Sequence, residues 1–463
     1  MLLDFPFLQR AALAVCALGA SMAACQAKVV YVNGSGTGSV HDGMTWQTAY
    51  RSFNAALATI SPGDEVWVAA GAYPGNGVIG NGATYLGGFA GGETSRDERD
   101  PRKNVTTVGD PLAESAFSAD VSVTQTATID GFTITAGQGR YIGGAYVAGA
   151  IQSEGANLAI SGNVIAGNDI DHKNNNSYGG GIYCNEGRVA IRNNTIVGNR
   201  AANGAAIFSS GAALTVTGNI IRGNHGARQY MSRGSGICVY FTEQPVVIAD
   251  NIIDANDLDG IGGGIYCSSS SATVTGNTIV GNAATWPGAA IHVLGSATIA
   301  NNIVAFNTDG IALNQGASTL GHNDVYGNVG PAYPDAADPT GTNGNISADP
   351  LFINTSTGNY RLQAGSPCKD TGNDAFATPG ETDVAGHPRV SGAHTDMGAY
   401  EYNSAGPAPY TMADAAKALR IAAGLVTAQQ EDALRFRNSS PLSQGIDVTD
   451  AVRVTRAVVG LDA

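Results

Sequence analysis

The feature that most constrains this chain is a six-residue pattern, Asn-x-[Ile/Val]-x-x-Asn, that recurs from Asn163 to Asn328. Its copies read NVIAGN, NTIVGN, NIIRGN, NIIDAN, NTIVGN, NIVAFN and NDVYGN, starting at Asn163, Asn194, Asn219, Asn251, Asn277, Asn302 and Asn323. A degenerate earlier copy, GFTITAG, begins at Gly131. The copies lie 21 to 32 residues apart. A constant motif at variable spacing means constant strands with insertions at one loop. An Ile precedes the leading Asn by 12 residues at Ile151, Ile182, Ile207, Ile265 and Ile311, by 14 at Ile237 and by 11 at Ile291. Alternating runs such as 189–191 and 273–275 lie between the two motifs. Each repeat thus holds three short strand-like pieces separated by Gly and Asn corners.

One such coil cannot bury its own Ile and Val, so coils must stack about 4.8 Å apart, with like residues above like. Asn suits the corners on two counts: it tolerates positive φ, and its amide can bond the Asn of the next coil. No 3.6-residue period and no Leu-x-Leu frame competes. The fold class is all-β: a right-handed, single-stranded parallel β-helix solenoid, followed by a small all-α C-terminal module. Gly, at 63 of 463 residues, is about twice its usual share and charge about half, as tight turns between short strands require. The net charge of −14 leaves no basic stretch for nucleic acid.

The aligned columns also place side chains. Cys184 and Cys267 share an inward column three coils apart, roughly 14 Å, too far to bridge. Cys238 is offset by one and is expected to face outward. The residue after each aligned Ile also faces outward and reads Gln152, Tyr183, Phe208, Cys238, Tyr266, His292, Ala312. Such aromatics either stack on sugar rings or lie under a loop.

The opening, residues 31–73, and the segment 85–104 are similar to the start of pectate-lyase-like, right-handed parallel β-helix repeat proteins. The closing pieces ADPLF at Ala348, YRLQAGSPCKDTGN at Tyr360 and DMGAYEY at Asp396 resemble the end of the same group. The resemblance covers residues 29–402 and implies a fold and a habitat, since lyases, hydrolases, epimerases and adhesins all belong there. An amphipathic helix over 48–60 is expected to cap the open end, with 65–69 as the first buried strand.

Residues 1–27 read as a secretory signal peptide, with 28–402 as the β-helix: 28–110 opening and cap, 127–330 coils, 345–402 closing segment. The box MAAC at 22–25 offers lipidation at Cys25 as the alternative, so the chain is read as secreted or held at the cell surface. Residues 403–409 are a linker. In 410–463, TMADAAKALRIAAGL and DVTDAVRVTRAVVGL repeat with a 36-residue offset and resemble a dockerin's helix pair, which implies a cohesin-like partner. The calcium-loop positions there hold Ser439, Pro441 and Ser443, or Asn403, Ala405 and Pro407, which are poor calcium ligands.

Candidate chemistry falls in the variable corner after the second Asn. Asp169, Asp171, His172, Lys173, His225, Arg228, Asp257, Asp259 and Trp286 share it across neighbouring coils. A lyase would use Lys173 or Arg228 as base, with carboxylates of the corner holding a calcium ion that neutralises a uronate; Asp169, Asp171 and Asp257 are the acidic catalytic candidates. A hydrolase would use two of the Asp as acid and base. Substrate-binding candidates are His172, His225, Asp259, Trp286, Tyr183, Phe208 and Tyr266, and the expected partner is a polysaccharide or cell-surface glycan. No metal-ligand set is assigned. The competing class is an adhesive or structural surface protein in which these are solvated loop residues.

Overall fold

The structure is a computed structural model that describes residues 27–110, 114–171, 176–226, 232–377 and 381–403. The expected signal segment, apart from Ala27, and the expected helix pair at 410–463 lie outside the described residues, as do His172, Lys173 and Arg228.

From residue 117 to 326 the chain winds in parallel coils. A representative coil runs through Ile182–Asn185, Arg188–Arg192 and Thr195–Val197. The first two strands of each coil join one 18-stranded sheet, and the third joins a 10-stranded sheet. In two coils the first pair fuses into single strands, Ile265–Thr275 and Ile291–Ala300. Register follows the sequence columns: Ile151, Ile182, Ile207, Ile237, Ile265, Ile291 and Ile311 pair in turn and all are fully buried. Burying each such side chain contributes about 2 kcal/mol, and stacking repeats the gain coil by coil.

Both Asn positions form ladders inside the wall. Asn194 Nδ2 donates to Asn219 Oδ1 (3.0 Å) and to Ile160 O (2.9 Å), while the Asn194 backbone N–H donates to the same Asn219 Oδ1 (2.9 Å). The second ladder repeats this from Asn168 through Asn199, Asn224, Asn256, Asn282 and Asn307 to Asn328. The positive φ sits elsewhere. The left-handed residue is the one before the ladder Asn: Gly162, Asn193, Gly218, Asp250, Gly276, Asn301 and His322. The two duties assigned to one corner Asn are thus divided between neighbours: the left-handed residue makes the turn, and the Asn after it, just ahead of the strand, aims its side chain into the wall.

The cap is shorter than expected. The helix spans Phe53–Leu57, because Tyr50 is already tied to the sheet by hydrogen bonds to Tyr31 and Asn33. Phe53 plugs the tube end against Tyr85, Phe117 and Phe132. Strand Glu65–Ala69 is buried as expected, but Val29–Val32 precedes it and pairs with it.

Beyond the last coil the chain turns back. Phe352–Asn354 and Asn359–Leu362 form an antiparallel pair, and the segment lies along the outside of the 10-stranded sheet. Phe352, Tyr360, Leu362, Met397 and Tyr400 pack there on Ile252, Val280, Ile303 and Ala305. Third strands alternate inward and outward burial in earlier coils, as at Thr195–Val197, but are buried throughout at Ile252–Asp254, Thr278–Val280 and Ile303–Ala305.

All four described cysteines are free and buried. Cys184 and Cys267 point inward as expected. Cys238 does lie on the outer side of the sheet, but it is covered rather than exposed, between Phe208 and Tyr266.

Candidate functional site

The variable corner forms a column of its own, one residue beyond the second Asn ladder. Asp169, Arg200, His225, Asp257 and Ala283 follow one another in register. Their charges interlock across coils. Arg200 Nε lies 3.5 Å from Asp169 Oδ2 and its Nη2 3.4 Å from Asp171 Oδ2, and His225 Nδ1 contacts Asp257 Oδ1. Asp259 accepts a hydrogen bond from Thr285 Oγ1 (2.7 Å), and Trp286 stands next to it with about half its surface exposed. The corner therefore gathers the expected acids, but Asp169 and Asp171 share Arg200 and Asp257 rests on His225, each from the adjoining coil, while Asp259 holds a threonine hydroxyl instead. Arg200 was not among the candidates; its signal was its place directly after Asn199, in the column of Asp169, His225 and Asp257. Among the described residues no three His, Cys, Asp or Glu side chains converge as metal ligands do.

Of the two forms expected for the outward aromatic column, Phe208 and Tyr266 take the covered one. Tyr183 and Phe208 stack on each other (centroids 5.5 Å, planes 7° apart), as do Tyr266 and His292 (5.7 Å, 16°). Tyr178, Tyr240, Ile261 and Leu294 pack over this column, and the Arg233 guanidinium lies 5.5 Å from the Tyr240 ring and 5.7 Å from that of Tyr266. Phe208 and Tyr266 are only 4% and 2% exposed, so their rings offer no open platform to a sugar. The strands Ser177–Tyr178, Ser232–Arg233 and Gly260–Ile261, fed by the variable corner, supply part of that cover. Burial pushes the Tyr183 phenol up to about 12 and lowers the His292 imidazole. Both rings are thereby held neutral.

An open groove lies on the same face, toward the N-terminal coils. It encloses about 290 Å³ and is lined by Asn76, Val78, Glu114, Ser115, Ser118, Arg140 and Gln152. Val78, Ser118 and Gln152 are consecutive members of the outward column that leads to Tyr183. Beside them Glu154 accepts from Gln152 Nε2 (3.2 Å) and from Asn185 Nδ2 (2.9 Å), making a chain of planar polar groups. The wall is a hairpin, Arg140–Ile142 with Ala145–Val147. From it Arg140 reaches Glu114 (3.5 Å), and Tyr141, more than half exposed, packs on Tyr146 at 5.0 Å. The candidate set lacked these residues because Val78 and Ser118 precede the repeats whose spacing makes the column legible in the sequence, and the wall is an insertion with no repeat to reveal it.

Residues 121–329 match the family model described as a right-handed beta helix region. Among solved structures the chain is similar to one titled "Crystal structure of pectate lyase Pel9A", at a TM-score of 0.43 and 16% identity, over 81% of this chain and 96% of that one. No curated protein matches the sequence at a significant level. With the parallel register of its coils, the matched stretch is a right-handed parallel β-helix.

Proposed function

We propose that this chain binds a polysaccharide along the outer face of its first strands, anchored in the groove between Val78 and Asn185. The observation that carries this reading is the groove itself: Ser118, Glu114 and Arg140 in its lining, with Glu154, Asn185 and an exposed tyrosine alongside. Planar amide and carboxylate groups suit pairs of neighbouring sugar hydroxyls, and an exposed ring suits the apolar face of a pyranose. The corner acids favour binding over catalysis, because Asp169 and Asp257 each rest on a base of the next coil. A base for a lyase would be drawn from Lys173 or Arg228. The alternative, a structural surface protein, is supported by the same interlocked corner, whose pairs run from coil to coil.

The test is calorimetric titration of the protein with neutral and uronate-containing polysaccharides, with and without calcium, with ultraviolet detection of unsaturated products alongside. Arg140→Ala and Tyr141→Ala should each weaken binding by about tenfold, the loss of one good hydrogen bond or stacking contact, with the melting curve unchanged. The calcium arm asks whether Asp169 and Asp171 exchange the shared guanidinium of Arg200 for a divalent ion. Absence of binding to every polysaccharide, or variants that bind like the parent, would sink the proposal; unsaturated products would convert it into the lyase reading.

A further inference from the structure

The closing segment covers three aspartates of the solenoid wall, and they are not treated alike. Asp250 meets Arg389 (3.1 Å), which also holds Glu401 (2.7 Å). Asp254 meets Arg222 (2.8 Å) and the Tyr360 hydroxyl (2.9 Å). Asp324, in the last coil, meets a backbone amide and a thiol: Ala348 N–H donates to Oδ1 (3.0 Å) and Cys368 Sγ–H to Oδ2 (3.1 Å). Both Asp324 and Cys368 are without solvent exposure. The titratable groups that face this pair are Asp349 and Asp396 from the closing segment and Tyr333 from the end of the solenoid, none of them cationic. A fully buried carboxylate with one amide and one weak S–H donor is poorly compensated, whereas the neutral acid is not.

We propose that Asp324 is a proton-operated catch: the closing segment is held most firmly on the last coils when this carboxyl is protonated, and the hold slackens as the medium passes from mildly acidic to neutral. Burial pushes the carboxyl up from 3.8 to about 6 in the docked state. With the segment lifted, water returns and the group takes its ordinary value. Below about pH 4 both states carry the proton and the hold is complete. Between about 4 and 6 the lifted state releases a proton that the docked state keeps, so the docked state loses ground as pH rises. Above about 6 the full cost applies. From about pH 5 to about pH 7.5 Asp324 alone should lower the docking equilibrium about tenfold. The other buried acids of the interface shift in the same direction, Asp250 to about 6 and Glu401 to about 8, but they face Arg389, with Glu381 and Asp383 near Asp250 and Asp396 near Glu401. His322, bonded to Thr371 O, His387 on Asp383 and His394 on Asp374 also lie in this region, so the test must separate them.

The test is hydrogen exchange on the full chain at about pH 5 and about pH 7.5, corrected for the intrinsic rate. The reporters are the amides of Gly398, which donates to Asn301 O (2.7 Å), and Ala399, which donates to Thr278 Oγ1 (2.9 Å); both cross from segment to solenoid. Their protection should drop by about tenfold or more over this interval while that of Ile207 and Ile265, inside the solenoid, holds. Asp324→Asn should shrink the fall by about tenfold, leaving whatever Asp250 and Glu401 add, and the combined His322→Gln, His387→Gln, His394→Gln variant should keep the full fall. Equal protection at both pH values in the parent, an unchanged response in D324N, or a lost response in the histidine variant would each overturn the proposal. Should D324N fail to fold, the combined Asp250→Asn, Glu401→Gln variant decides: a fall of about tenfold that remains there supports Asp324, and its loss overturns the proposal.

Discussion

Replacing Asn251 by Ala tests the ladder where it is driest. The residue is fully buried, and its Oδ1 accepts two bonds from Asn219, one from the backbone N–H and one from Nδ2, both at 2.9 Å. Its own Nδ2 donates to Val216 O (2.8 Å) and to Asn277 Oδ1 (2.9 Å). Asn219 Nδ2 keeps Ile191 O and Thr217 O, and Asn277 Oδ1 keeps the backbone N–H of residue 251. Two groups are left short: the Asn219 N–H loses its acceptor and Val216 O loses the amide. At about 1–3 kcal/mol for each stranded buried group, the substitution should cost about 4 kcal/mol. Asn251→Asp should be no better, because a carboxylate oxygen would then face Val216 O and Asn277 Oδ1. Asn328 ends its ladder at a partly hydrated site, bonding Asn307 and Val304 O (3.1 Å), and Asn328→Ala should cost about 1 kcal/mol, with water as the replacement partner. Urea unfolding followed by circular dichroism measures all three. A cost below about 1 kcal/mol for N251A, or equal costs at the two positions, would refute the accounting of stranded groups.

Gly180→Ala should destabilise by about 2 kcal/mol or more in the same assay, since a Cβ there would lie 2.6 Å from both Ala205 O and Arg200 O, backbone atoms of the next coil that cannot swing aside. Cys184, Cys238, Cys267 and Cys368 should resist a thiol reagent near neutral pH until the protein is unfolded. All four are buried, and burial pushes the Cys184 and Cys267 thiols up to about 12; mass-mapped labelling of the native protein checks this. Arg200→Ala should change the melting curve little, by under about 1 kcal/mol, because Arg200 and Asp169 are each about half exposed; a larger loss would show that the corner pairs, Asp171 included, hold the coils together.

What the sequence revealed follows from what stacking demands. A solenoid requires like residues above like, so the Ile151-to-Ile311 column and both Asn ladders were readable before any coordinate. Features set by contact between non-repeating pieces were not. Phe208, Cys238 and Tyr266 were placed on the correct side of the sheet, yet their covers, Tyr178, Arg233 and Ile261, come from corners of unequal length with no common register. Ile252, Val280 and Ile303 look like any β-branched outward residue; only the returning segment shows why they are apolar. The left-handed position was misjudged by one residue because Asn193 and Asn301 occupy it in two coils, while Asp250 and His322 show that it does not require Asn. Of the candidate site, the corner was legible as a place and the groove was not, since its wall at Arg140–Ile142 belongs to no repeat.

The returning segment also sets a schedule. A chain made from its N-terminus can stack its coils as they appear, each on the one before. Asp254 waits 106 residues for Tyr360, and Thr278 waits 121 for Ala399. Over that interval the outer faces of Ile252, Val280 and Ile303 are bare, on coils otherwise complete. The last stretch of the fold to be synthesised therefore closes a sticky surface that the earlier stretches have already assembled. Interrupted synthesis or a stop between residues 330 and 350 should yield a well-wound solenoid that associates through its own flank.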